Sequence, residues 1–171
     1  SNYGWTAAAT MDADGWPTQD CSTVIYCNDD VELGTYKLVF TGQAATISMM
    51  WTAGSVTSKV YTSGTNTTTA DVTLTNTACG GLQFQGTKRL STDSPGTGIT
   101  NARLYRPGYP TDGSVVLNTR YQGVISKFQA IRFMDWMDTN GNPIETWAQR
   151  RNPTQANPGS VTINGHAGPV G

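Results

Sequence analysis

Three carboxylates lie close together in the sequence IRFMDWMDTNGNPIETWAQRR, residues 131–151. Asp135, Asp138 and Glu145 have the chemistry of an acid pair, since one carboxyl group can donate a proton while another accepts one. Arginines flank them, and a carboxylate beside a guanidinium forms an ion pair that fixes local structure. The expected partners are Arg132, Arg150 and Arg151. We therefore predict a structural role for this segment and assign no catalytic residue to the chain.

Four aromatic side chains are candidates for carbohydrate contact. Flat aromatic faces suit the C–H faces of sugar rings, and Trp and Tyr are frequent anchors at binding surfaces. Trp16, which precedes Pro17, is one candidate. The others are Trp5, Trp51 and Tyr61. For any one of them the competing interpretation is packing in the core.

The sequence Asp12-Ala13-Asp14-Gly15 alternates carboxylates before a glycine, as calcium-binding loops do. Such loops also need a bidentate glutamate, and none follows at the required distance. We expect a structural turn, so Asp12 and Asp14 are only weak calcium candidates and no cofactor is predicted. The single histidine, His166, has no serine or cysteine nucleophile motif around it and is expected in an exposed loop.

The three cysteines, Cys21, Cys27 and Cys79, permit one disulfide and one free thiol. Cys21 and Cys27 share the strand-like segment CSTVIYC, which in extended form holds them too far apart to bond. A bridge from Cys79 to either of them remains open. Asn66-Thr67-Thr68 is a glycosylation sequon, which has meaning only in a glycosylating host.

Composition and charge limit the kinds of partner that the chain is expected to have. The net charge of -1 gives no electrostatic footprint for nucleic acid, and no apolar run approaches the roughly 20 residues of a membrane span. Only 13% of the side chains are charged, and many polar positions are Thr, which suits strands and an extracellular protein. Residues 1–100 carry 4 basic and 8 acidic side chains, so -4, whereas residues 101–171 carry 7 and 4, so +3. These halves could attract each other within a chain or between chains.

Short β-rich segments separated by turn residues recur along residues 1–110. Alternating apolar residues such as Tyr36, Leu38 and Phe40 indicate strands with one buried face. The predicted strands are 21–27, 35–41, 45–51, 55–61, 69–75, 81–86 and 98–105. The expected turn glycines are Gly42, Gly54, Gly64, Gly80 and Gly81. This pattern predicts a mainly β domain, an antiparallel, jelly-roll-like β-sandwich.

Residues 111–171 have a different pattern and are predicted to form an extension. Apolar spacing over 118–130 fits one amphipathic helix with Asn118 as a possible N-cap. Residues 143–150 could form a second helix with Pro143 at its first position. From Asn152 onward proline and glycine dominate, which predicts an irregular tail.

Four segments carry a resemblance to a known family. They are DADGWPTQD (12–20), GTYKLVFTG (34–42), ITNARLYRPGY (99–109) and IRFMDWMDTNGNPIETWAQRRNP (131–153). Together they resemble large secreted proteins of the cellulose-binding-domain or glycoside-hydrolase-like kind, in which a β-sandwich similar to a carbohydrate-binding module precedes a (β/α)-barrel. The resemblance implies that RFMDW is the first barrel strand, with Asp135 and Trp136 near the catalytic mouth. The other residues of this barrel-like segment are Asn140, Trp147 and Arg150.

The chain departs from that family at the point where catalysis would need it. A retaining glycosidase uses two carboxylates, and in this class the acid/base usually lies in an Asn-Glu pair after a later strand. No Asn-Glu pair occurs here, and the only glutamates are Glu32 and Glu145. One strand and one helix cannot close a barrel. The resemblance therefore implies a sandwich without a complete glycosidase site.

Three functional hypotheses follow. The leading one is a non-catalytic, extracellular β-sandwich protein that binds polysaccharide or forms an extracellular surface. The strongest alternative is a structural subunit of a filament or other homopolymeric assembly, in which the C-terminal residues lie against another folded surface. The third is a fragment of a larger glycoside hydrolase. Polysaccharide and further copies of the chain are the expected partners.

Overall fold

The computed structural model describes residues 10–26, 31–51, 53–115, 119–131 and 146. Within these ranges the regular elements are seven strands, a short 3-10 turn at Ser63–Thr65 and one α-helix. The strands are β1 Cys21–Tyr26, β2 Gly34–Thr41, β3 Thr46–Met50, β4 Gly54–Thr62, β5 Thr67–Leu74, β6 Gly80–Gln85 and β7 Thr100–Tyr105, and the helix is α1 Thr119–Ile125. Each predicted strand is present, and the boundaries shift by one or two residues.

The strands form two antiparallel sheets, as the sequence predicts. One sheet has the order β1-β6-β3, and the other has the order β4-β5-β2-β7. Phe40 on β2 and Phe84 on β6 meet across the two sheets edge to face, with ring centroids 5.5 Å apart and planes at 84°. This is a favourable geometry for an aromatic pair, and both rings are almost fully buried. The fold is therefore an antiparallel β-sandwich.

Alternation along the central strands builds the core. On β2 the side chains of Tyr36, Leu38 and Phe40 are buried, while their neighbours in the sequence are at least partly exposed. Ala70, Val72 and Leu74 on β5 repeat the pattern opposite them. Because successive side chains point to opposite faces of a strand, the sequence alone identifies which face packs inward.

Three of the expected turn glycines lie in strands instead. Gly54 begins β4, and Gly80 and Gly81 begin β6. A Cβ atom at Gly80 would collide with the Tyr26 ring, and one at Gly81 would collide with the Thr23 carbonyl oxygen. These glycines are thus required for close approach by neighbouring strands. Glycine is favoured both in turns and where strands approach closely, so the sequence alone does not distinguish the two.

The chain divides into two compact units, Ser1–Thr111 and Asp112–Gly171. In the second unit α1 ends at Ile125, earlier than the predicted end at 130. Its last turn tightens, because Lys127 and Phe128 donate to the carbonyls of Val124 and Ile125 three residues back. Asn118, the 143–145 and 147–150 parts of the second predicted helix and the Pro/Gly tail lie outside the described residues.

Candidate functional site

Among the aromatic candidates in the described part of the chain, Trp51 is the most exposed. It follows β3 at the crossover into the other sheet, and 52% of its surface is exposed. Its ring lies against Gly81, where an added Cβ would be 3.2 Å from its Cζ3 atom. Its backbone has φ of 63°, a left-handed conformation that costs a bulky residue about 1–2 kcal/mol. Strain of this kind tends to persist where the side chain has a use.

Trp16 has the opposite environment and is removed from the set of sugar platforms. It is only 7% exposed, and the segment that carries it is bound by Arg89. The Arg89 guanidinium donates to the backbone oxygens of Trp16 and Pro17 at 3.1 and 2.7 Å. The ring is therefore part of the fold and offers no face to a ligand.

Asp12 completes this contact, which we call the Arg89 clamp (Asp12, Trp16, Pro17 and Arg89). Asp12 Oδ2 lies 2.7 Å from the Arg89 guanidinium, and Oδ1 accepts the backbone N–H groups of Asp14 and Trp16. Burial acts to raise the pKa of Asp12, but the Trp16 amide and Arg89 outweigh it and lower that pKa. Oδ1 thus accepts hydrogen bonds within the turn, and Oδ2 forms the ion pair with Arg89.

A second carboxylate ties the same segment to the chain after β6. Asp20 accepts the backbone N–H groups of Gly86 and Thr87 at 2.8 and 2.9 Å, and the Thr87 hydroxyl at 2.7 Å. The Thr87 hydroxyl in turn accepts the Gly98 N–H at 2.9 Å. Burial works to raise the pKa of Asp20, yet these three donors together lower it. Asp20 is therefore a structural anion.

Tyr61 lines a groove of about 450 Å³ at one end of the sandwich. The other lining residues are Gln43, Ala44, Ala45, Lys59, Thr68, Gly86, Lys88 and Pro95. We call this the Tyr61 groove. The described residues that line it supply an aromatic ring, an amide, a hydroxyl and two ammonium groups, and none of them is a carboxylate. Its volume falls within the range of roughly 300–1,000 Å³ typical of ligand sites.

A β-bulge in β4 turns two of these side chains into the groove. Thr57 pairs with Asp71, and Val60 pairs with Thr69. Between these two pairs β4 therefore contains one residue more than β5 does. The extra residue reverses the alternation, so that Tyr61 shares the inner face with its partner Thr68 while Val60 is left 57% exposed. Ser58, within the bulge, has φ of 53°.

Hydrogen bonds hold the groove wall in place. The Lys59 ammonium donates to the carbonyl oxygens of Ala44, at 2.9 Å, and Ala45. Gln43 and Lys88 form an isolated bridge through two backbone hydrogen bonds of 2.7 and 2.9 Å. The Tyr61 hydroxyl donates to Asn66 Oδ1 at 3.1 Å. The groove is therefore formed before any ligand arrives.

The glycosylation candidate Asn66 is part of this wall. Its Nδ2 group donates to the Arg89 carbonyl at 2.7 Å, and Thr68, the hydroxyl residue of the sequon, is 1% exposed. The Thr68 hydroxyl donates to the Gly42 carbonyl at 2.6 Å. In the folded chain both ends of the sequon are engaged, so Asn66 positions Tyr61 and the clamp.

Trp51 and Tyr61 lie at opposite ends of β4 and do not share one surface. Gly54 lies just beyond Trp51, and Tyr61 follows it seven positions later. In a strand this spacing corresponds to roughly 20 Å. The sequence identified both aromatic residues but not the lysines beside Tyr61. The available signal was charge: Lys59 and Lys88 are two of only 4 basic side chains in residues 1–100.

The described cysteines differ in their bonding state. Cys79 is disulfide-bonded, and Cys21 is free and buried, which excludes a Cys21–Cys79 bridge. Burial, helped by the nearby Asp20 carboxylate, raises the pKa of the Cys21 thiol to about 12. Several predicted site residues lie outside the described residues: Trp5, Cys27, Asp135, Trp136, Asn140, Trp147 and Arg150.

Among the described residues, no three His, Cys, Asp or Glu side chains are grouped as a metal site would need. No helix in that part of the chain combines the length and apolarity needed for a membrane crossing. In comparisons with known proteins, no family model, no curated protein and no solved structure matches this chain.

Proposed function

We propose that this chain is a non-catalytic, extracellular β-sandwich protein that binds polysaccharide. The observation that carries the proposal is Trp51, a half-exposed indole in a left-handed backbone conformation above Gly81. A flat, rigid aromatic face is suited to the C–H face of a sugar ring, and it loses little conformational entropy when bound. Gly81 supports this use, since the strand beneath the ring offers no side chain to lift it.

The carboxylates of the first unit support a binding role. Asp12 and Asp20 are engaged in the contacts described above, and Asp93 accepts the Leu90 N–H at 2.8 Å. Asp71 accepts from Lys37 and from the Ser58 hydroxyl, which lowers its pKa. Carboxylates engaged in this way stabilise loops and strands, and these four are held in such contacts instead of forming an acid and base pair on a sugar.

The disulfide at Cys79 supports an extracellular location. Disulfides form and persist mainly in oxidising compartments such as the extracellular space. Low charge and a Thr-rich surface fit the same environment. Secretion of the chain is therefore part of the proposal.

Substitution of Trp51 tests the proposal directly. In a pull-down on insoluble glucans, Trp51→Ala is expected to weaken binding by about tenfold, or about 1.4 kcal/mol. Leu33→Ala removes another exposed apolar side chain, 49% exposed, and should leave binding unchanged. Trp51→Asn removes the ring but suits the left-handed backbone, so binding should weaken to a similar extent while the melting temperature is retained.

Two outcomes would contradict the proposal. One is equal glucan binding by the wild type and Trp51→Ala. The other is an absence of saccharide binding together with concentration-dependent polymers in sedimentation, which is the behaviour of a homopolymeric structural subunit.

A further inference from the structure

We propose that the Tyr61 groove is a second saccharide site, and that it selects sugars carrying an anionic group, a carboxylate or a sulfate. This inference rests on the proposed function and extends it to a different surface from Trp51. It assigns three roles. Lys88 and Lys59 take the anionic group, Tyr61 takes a face of the sugar ring, and Gln43 takes hydroxyl groups.

The distribution of charge carries the argument. Residues 1–100 contain 8 acidic and only 4 basic side chains. Within the described residues, two of those four have carboxylate partners, Lys37 with Asp71 and Arg89 with Asp12. The remaining two, Lys59 and Lys88, both line the Tyr61 groove, and no carboxylate is among the described residues of its lining. An acidic region thus concentrates its unneutralised positive charge in one concave place.

The two ammonium groups are prepared to different degrees. Lys59 uses two donors on the carbonyls of Ala44 and Ala45, so its position is fixed and at least one donor remains. Lys88 is fixed through its backbone bridge to Gln43, while its ammonium makes no hydrogen bond or ion pair with any described residue. An anion that bridges them would form charge-assisted hydrogen bonds with both.

Two residues in or beside the groove have left-handed backbone conformations. Ser58 adopts a left-handed conformation so that the bulge can turn Lys59 and Tyr61, and the side-chain contacts of Tyr61 and Asn66 keep the ring in place. Gly86 has φ of 60°, and a Cβ there would lie 2.7 Å from the Ala45 Cβ. Strained positions that aim polar groups into a concavity are typical of ligand sites.

The other residues that line the Tyr61 groove favour an anionic sugar over an acidic peptide as its ligand. A peptide carboxylate would use the lysines, but the groove also presents a tyrosine ring and an amide side chain. A sugar ring has a C–H face for Tyr61 and hydroxyls for Gln43. Acidic peptide is therefore the alternative that the experiment must exclude.

The test uses the full chain and isothermal titration with four probes: an oligogalacturonate, a sulfated dextran oligosaccharide, a neutral cello-oligosaccharide and poly-glutamate. The expected result is binding of at least one anionic saccharide, weakened by raised salt and weakened about tenfold by Lys88→Gln. The carboxylated and sulfated probes distinguish the two anionic groups. Lys59→Gln should act in the same direction.

Arg103→Gln is the matched control, since it removes one positive charge on β7, at the opposite edge of the sheet from β4. It should leave anionic binding unchanged, and Lys88→Gln should leave neutral binding unchanged. An equal loss in both variants, no loss in Lys88→Gln, or equally tight binding of poly-glutamate overturns the inference.

The two proposals fail in different ways. Binding of neutral sugar that depends on Trp51, with no preference for anionic probes, keeps the proposed function and removes this second site. Absence of binding to all three saccharides removes both.

Discussion

At the scale of single residues, hydrogen bonds to charged groups hold the segment before β1 in place. Asp20 illustrates the principle, since its carboxylate accepts three hydrogen bonds from Gly86 and Thr87. The sequence showed an aspartate of unknown use in DADGWPTQD. Only the fold shows which amides it accepts from, because its partners lie 66 and 67 positions away.

Asp20 also gives a pH prediction. Its folded-state pKa is lowered from 3.8, so its stabilising effect is present above that value and is lost as the pH falls through the folded-state pKa. Asp20→Asn should lower the free energy of unfolding by about 1–2 kcal/mol at pH 6. In urea titrations the difference from the wild type should shrink below about pH 4. Asp14→Asn, which alters a neighbouring exposed carboxylate, is the control, and an Asp20→Asn effect that does not depend on pH would contradict this account.

Cys21 leads to a prediction about reactivity. A buried thiol with its pKa raised to about 12 has almost no thiolate at neutral pH, and the thiolate is the reactive form. The native chain should therefore show no fast labelling by a thiol reagent at pH 8, and one thiol should appear after unfolding in guanidinium without reductant. Mass spectrometry of labelled peptides assigns it, and rapid native labelling of Cys21 would refute the prediction.

At the scale of elements, the β4 bulge decides where the Tyr61 groove forms. A regular β4 would turn Val60 inward and Tyr61 outward, because a shift of one residue reverses every following side chain. The sequence SVTSKVYT reads as an ordinary strand and contains no glycine or proline to mark the bulge. The bulge is instead selected by the pairing with β5, including the Ser58 hydroxyl on Asp71.

Substitution at Ser58 tests the bulge. A β-branched residue is strongly disfavoured at φ of 53°, whereas glycine adopts it without strain. Ser58→Val should therefore be less stable than Ser58→Gly by about 1–2 kcal/mol in chemical denaturation. Both variants lose the same hydroxyl, so the comparison isolates the backbone. Equal stability of the two variants would mean that the left-handed residue does not form in solution.

At the scale of the whole molecule, alternating apolar residues determined the class of fold. Seven strands and their buried faces could be predicted, because both depend on local patterns of period two and on turn residues. The packing partners could not, since Phe40 meets Phe84 and Arg89 meets Trp16 only after distant segments come together.

For the candidate sites too, some features could be predicted from the sequence and others depend on tertiary structure. The sequence by itself placed Trp51 and Tyr61 at the ends of predicted strands, and it showed that few basic residues occur in the first hundred. Tertiary structure decided that Trp16 is buried, that Trp51 is exposed above Gly81, and that Lys59 and Lys88 line the same groove as Tyr61. The physical reason is that exposure and charge pairing depend on which chain segments pack together, and local sequence carries no record of partners 15 or more residues away.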